Sequence, residues 1–159
     1  MSTAIGYIGF GANLGDPKAS LTQALKALKE SAGILDVASS SFFRSDPVDA
    51  PGPAYINAVT KVTTTLAPLP LLDVLRRIET HFGRERHFRN APRTLDLDLL
   101  LYDELAFSTP TLTVPHPRMH LRAFVIKPLL QVADPQMILH GQSLDRWLAA
   151  CSDQACNPI

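Results

Sequence analysis

The sequence predicts an α+β fold, a four-stranded core sheet with helices packed on it, and three observations predict it. Four short stretches are apolar or alternating, as strands are. Two longer stretches carry apolar residues at a three-and-four-residue period, as amphipathic helices do. The order of these stretches is β-α-β-β-α-β, followed by further helix. At 159 residues the length suits one domain, and a single domain over residues 1–159 is expected.

Residues 5–10 form the first strand, and residues 11–17 turn out of it. Asp16 followed by Pro17 opens a helix, with a side-chain acceptor at the N-cap and a pre-set φ behind it. Leu21, Ala24, Leu25 and Leu28 trace one apolar stripe, and Gly33 is expected to end this helix. Residues 34–44 are the second strand. Pro47, Pro51, Gly52 and Pro53 make the next stretch a loop. Residues 55–66 are β-branched and alternating, the third strand. Leu71, Leu72, Leu75, Ile78 and Phe82 mark a second helix from Pro68 to Gly83. A basic loop over 84–94 leads to the fourth strand, 95–102. A third helix is expected over 124–133, though Pro128 interrupts its pattern, and a short fourth over 144–150. Strands two and three have no helix between them and should be antiparallel. The result is a ferredoxin-like arrangement, a mixed or antiparallel sheet with helices on one face. Such folds host many activities, so function has to be read from the site.

Composition narrows the choices. Fifteen basic residues balance fifteen acidic ones, which excludes holding nucleic acid or an anionic membrane by bulk positive charge. With 46% apolar and 19% charged residues the chain can bury a core. Cys151 and Cys156 are the only cysteines, too few for a disulfide framework and wrongly spaced for a zinc pair, and they read as inert thiols in a polar tail. No apolar run approaches ~18 residues and no basic leader opens the sequence, so a cytoplasmic chain is expected.

The sharpest chemical feature is the alternation around Asp96 and Asp98. On a strand, Leu95, Leu97 and Leu99 face one way and the two aspartates the other, about 7 Å apart along the chain. Two carboxylates held so close stay ionised with a cation between them, and hard oxygen ligands suit Mg²⁺. The alternative is a solvated outer face of an edge strand. Arg84, Arg86, Arg89 and Arg93 fall within ten residues directly before this strand. Guanidinium forks bind phosphate oxygens, so acids and arginines side by side suit a Mg²⁺-nucleoside triphosphate. A solvated basic loop is the plainer alternative. His116 and His120 lie four apart, but no third zinc ligand is spaced to help them. His116 as a phosphate donor, with Arg122 as cationic support, fits better. There is no P-loop motif. Gly9, Gly11 and Gly15 imitate a dinucleotide fingerprint at the wrong spacing, and Gly9 and Gly11 read as close packing at a strand end.

At these positions the chain resembles the 6-hydroxymethyl-7,8-dihydropterin pyrophosphokinases of the folate pathway. The shared stretches are Gly11 to Gly15, Phe43 to Val48, Tyr55 to Ala58, Ile78-Glu79 with Gly83 to Arg86, Pro92 to Leu99, Val114 to His116 and Arg122 to Phe124. The resemblance implies a ferredoxin-like fold and transfer of pyrophosphate from ATP to the pterin hydroxymethyl group, with release of AMP. It implies that Asp96 and Asp98 bind two Mg²⁺ ions and that Arg84, Arg93, His116 and Arg122 contact phosphates or nucleotide. Glu79, Arg86 and Arg89 would stand nearby in the ATP site. Tyr55 and Phe124 would sandwich the pterin, with Asn57 on its edge and backbone groups of Ser45 and Val48 beside it. Two departures stand out: Asn90-Ala91 where some members carry Trp, and Pro117 where some carry Tyr. The loops 45–53 and 84–93 are expected to close over the ligands. No nucleic-acid or membrane partner is expected, and a monomer is. A ferredoxin-like sensor module is the rival reading, but it would need no paired acids. RNA binding would want surface aromatics and a positive balance.

Overall fold

Strand β1 (Ala4–Ala12) is an inner strand of the main sheet, paired antiparallel on both sides. The computed structural model describes residues 2–46, 53–82 and 95–159. Helix α1 (Pro17–Lys29) starts where expected, with Asp16 Oδ1 accepting from the Ala19 N–H at 3.1 Å. It stops before Gly33, which instead turns the chain into β2 (Ile34–Ser39) with φ +87°. A side chain at Gly33 would come within 2.6 Å of Leu66.

The single strand expected over 34–44 is two: β2, then β3 (Phe43–Ser45). Both pair antiparallel with β4 (Tyr55–Thr64), β2 along its far half and β3 along its near half. The break falls at Ser40, whose Oγ accepts from the Val59 N–H at 2.9 Å and so takes a ladder position with its side chain. Helix α2 (Pro68–Phe82) leads towards β5 (Asp96–Tyr102). Two small hairpins, β6 (Phe107–Ser108) with β7 (Thr113–Val114) and β8 (Ile138–Leu139) with β9 (Gln142–Ser143), flank α3 (Ala123–Val132). Helix α3 is continuous in spite of Pro128. Then come α4 (Leu144–Ala150) and β10 (Cys156–Pro158).

The main sheet runs β10-β3-β4-β1-β5, with β2 also on β4. Every pairing in it is antiparallel, so the mixed sheet allowed by the sequence reading is not what forms. Helices lie on both faces rather than one. Leu21, Leu28, Leu71 and Leu75 of α1 and α2 share a core with Ile8, Phe10, Leu97 and Leu99. Val125, Ile126 and Leu129 of α3, and Leu144 of α4, share a second core with Tyr7, Val59 and Leu100. The apolar third helix makes this second layer necessary, because its buried stripe needs a surface of its own. No helix among the described residues is long and apolar enough to cross a membrane.

Candidate active site

Three neighbouring strands bring chemistry to one end of the sheet's α3 face. The register places Asn57, Gly11 and Asp96 side by side on β4, β1 and β5, and Val59, Gly9 and Asp98 side by side in the next row. Side chains in one such row share a face. The glycines therefore leave a bare strip of backbone between the amide and the carboxylates. A Cβ at Gly11 would lie 3.2 Å from Asn57 Nδ2, so the strip is open only because glycine lines it.

Strand β5 alternates as expected: Leu97 and Leu99 are buried, while Asp96 and Asp98 are half-buried on the other side. Beyond Leu99 the alternation breaks. Tyr7 pairs with Leu101 but Ile8 pairs with Leu99, so Leu100 is an extra residue in a β-bulge. The bulge lets Leu100 and Leu101 both join the α3 core and turns Tyr102 back to the other one. A run of three leucines is thereby buried on two faces without moving the aspartates off theirs.

The walls of this cleft, about 500 Å³, carry Tyr55, Asn57 and Ser45 on the strand side and Arg122 and Phe124 on the helix side, with both aspartates on its floor. Ser45 Oγ donates to Asn57 Oδ1 at 2.7 Å, and both residues are buried. That bond sets the amide orientation and leaves its NH₂ group facing away from Ser45. The Arg122 guanidinium stands 5.4 Å from the Phe124 ring centre, over its face. Two aromatic residues with a fixed amide at their edge suit a flat, polar heterocycle.

Asp98 also lines a second, smaller cleft of about 260 Å³, which Leu72, Arg76, Thr113 and His116 help to form. Burial holds the His116 imidazole below its usual pKa. Asp98 pulls it upward, and Arg122 and Arg118 add to the depression. The Arg118 N–H donates to His116 Nδ1 at 3.1 Å, so the neutral ring carries its proton on Nε2 and can donate there.

Glu79, expected in the ATP site, is buried against β5. It is 1% exposed, and its carboxylate accepts from Arg76 at 2.7 Å and from the Leu97 N–H at 2.9 Å. Arg76 also donates to the Leu97 carbonyl at 3.1 Å. The pair thus clamps the backbone of the residue between the two aspartates. Glu79 acts on β5, and Arg76 is the member of the pair that reaches a cleft. Sequence reasoning missed Arg76, although its spacing three residues before Glu79 on a helix was a visible signal. It also missed Gln154, which lines the larger cleft. Val48, Arg84, Arg86, Arg89 and Arg93, and most of the two loops expected to close, lie outside the described residues. The tail is not loose: Cys151 and Cys156 are buried, and burial pushes both thiols up in pKa. His120 packs against Trp147 and His140, ring centres 4.7 and 4.5 Å away.

Two carboxylates on one strand face, with no third His, Cys, Asp or Glu grouped with them among the described residues, leave most positions on a cation for water or phosphate oxygens. That donor set fits Mg²⁺.

Comparison with known proteins points to one family. Residues 7–134 match the family model for 7,8-dihydro-6-hydroxymethylpterin-pyrophosphokinase. A 2-amino-4-hydroxy-6-hydroxymethyldihydropteridine pyrophosphokinase of Pseudomonas aeruginosa is 42% identical over 146 residues, 91% of this chain and 90% of the relative. The protein of the same name from Haemophilus influenzae is 42% identical over 148 residues, 92% of each. A Plasmodium falciparum HPPK-DHPS chain solved with pteroate shares the fold, with a TM-score of 0.73 at 11% identity. That alignment covers 94% of this chain and 42% of the solved one.

Proposed function

The chain belongs to the 7,8-dihydro-6-hydroxymethylpterin-pyrophosphokinase family, which transfers pyrophosphate from ATP to hydroxymethyldihydropterin in folate biosynthesis, and we propose that its two clefts divide that work at Asp98. The observation that carries this division is that Asp98 lines both clefts while the pterin-like fittings line only one.

The pterin lies in the larger cleft between Tyr55 and Phe124. Asn57, oriented by Ser45, reads its edge, and a backbone group of Val48 completes that edge. The triphosphate enters from the smaller cleft, where Arg76 and His116 Nε2–H meet it. Arg84, Arg86, Arg89, Arg93 and Arg122 supply further positive charge. Asp96 and Asp98 would hold two Mg²⁺ ions, whose charge would offset that of the triphosphate. The pterin hydroxyl oxygen bonds to the β-phosphorus as the bond from that phosphorus to the α–β bridging oxygen breaks. AMP departs with that oxygen, and the hydroxyl proton passes to solvent water. Such transfer depends on positioning and charge neutralisation, so the residues need only hold the two reactants in line. The single domain works as a monomer in the cytoplasm, where ATP is at hand.

The test is AMP release from ATP with Mg²⁺, dependent on the reduced hydroxymethyl pterin. Formation of ADP, or AMP release that ignores the pterin, overturns the reading.

A further inference from the structure

The family match ends at residue 134, yet the segment beyond it returns to the larger cleft. Strand β10 pairs with β3, setting Cys156 opposite Ser45. The Ile159 N–H donates to the Phe42 carbonyl at 3.1 Å, and Lys127 Nζ donates to the Cys156 carbonyl. Cys151 and Cys156 are buried against Phe43, Ala123 and Phe124.

Gln154 stands between those two cysteines. Its Oε1 accepts from the Ala123 N–H at 2.9 Å, and its Nε2 donates to the Leu121 carbonyl at 2.8 Å. These two bonds bracket Arg122, the N-cap residue of α3. The first N–H groups of a helix have no partner inside it, and an N-cap side chain normally supplies an acceptor. A guanidinium has none to give. The cap therefore comes from 31 residues away. The residue that follows the capped N–H is Phe124, the aromatic wall of the cleft that Gln154 itself lines.

We propose that Gln154 is a positioning residue for the pterin: by capping α3 it sets where Phe124 meets the ring. This rests on the pterin reading of the larger cleft. The check is steady-state kinetics and thermal unfolding of Gln154→Met, which keeps the side chain's length and removes both hydrogen bonds. The pterin KM should rise about tenfold, the size of one lost hydrogen bond, while the ATP KM moves by about twofold or less. A pterin KM that stays put, or two KM values that rise together, overturns the proposal. Should Gln154→Met fail to fold, Gln154→Asn keeps the amide but shortens its reach, and the same split should appear at roughly threefold. If the wild-type chain releases no AMP with this pterin, the functional reading falls and takes this one with it. An active wild type beside an unaltered variant sinks this one alone.

Discussion

The two clefts that meet at Asp98 are built by different means. The larger is made from β3, β4, β1 and β5, strands whose register fixes each side chain, and is closed by the start of α3. The smaller is made from one face of α2, from Asp98 and Leu99 of β5, and from the connection that leads from β6 to Pro117. One surface is pre-set almost wholly by backbone pairing, while the other adds a helix face, with Leu72 and Arg76, to the border of β5. A rigid aromatic slot suits a flat ring, whereas a helix-and-loop surface suits a flexible, charged chain.

That contrast can be broken at its shared point first. Asp98→Asn should lower kcat by about a thousandfold with unfolding unchanged, because the lost charge faces both substrates. Nearly unaltered turnover would end the two-cleft picture. On the aromatic side, Phe124→Ala should raise the pterin KM roughly tenfold or more and leave the ATP KM alone, as measured by initial rates with each substrate varied. The mirror experiment is Arg76→Met. It should raise the ATP KM about tenfold and also lower the unfolding temperature, since Glu79 is left buried with one partner fewer. A pterin KM that moves as far would show that the clefts are not separable.

The smallest effect lies away from both. Burial, and then the charge of His140, hold the His120 imidazole below its usual pKa. Its folded form therefore binds a proton less readily than its unfolded form. The stability it carries is complete above about pH 6.5 and declines as the pH falls below that. His120→Asn should flatten the drop in melting temperature between neutral pH and pH 5 by roughly 2 °C, with kinetics at neutral pH unaffected.

The strand-built cleft was largely legible in the sequence. The period of two gave the facing of Asp96 and Asp98 directly, whereas Tyr55, Asn57, Ser45 and Phe124 came from the family resemblance; the structure brings all six to one cleft. Less could be read where long-range contacts decide. Nothing local marks Leu100 as a bulge, because in a run of leucines every alternative frame is equally apolar. The break at Ser40 depends on a side chain standing in for backbone, and serine does so only when a strand edge is waiting. Glu79 entered the expected ATP site through the family resemblance alone, and nothing local signals that it is buried. Its burial follows from Arg76 and an open backbone position on β5. Gln154 was invisible, since an amide in a polar tail carries no pattern until the tail is folded back.

The clamp on Leu97 has a consequence for life in a crowded solution. Strand β5 ends the sheet's order among the described residues, and a border of that kind ordinarily invites a stray chain to zip on. Arg76 and Glu79 have already claimed the amide and carbonyl of Leu97, near the start of that strand, which such a visitor would need. The same two side chains that steady the carboxylates also keep neighbours from docking beside them.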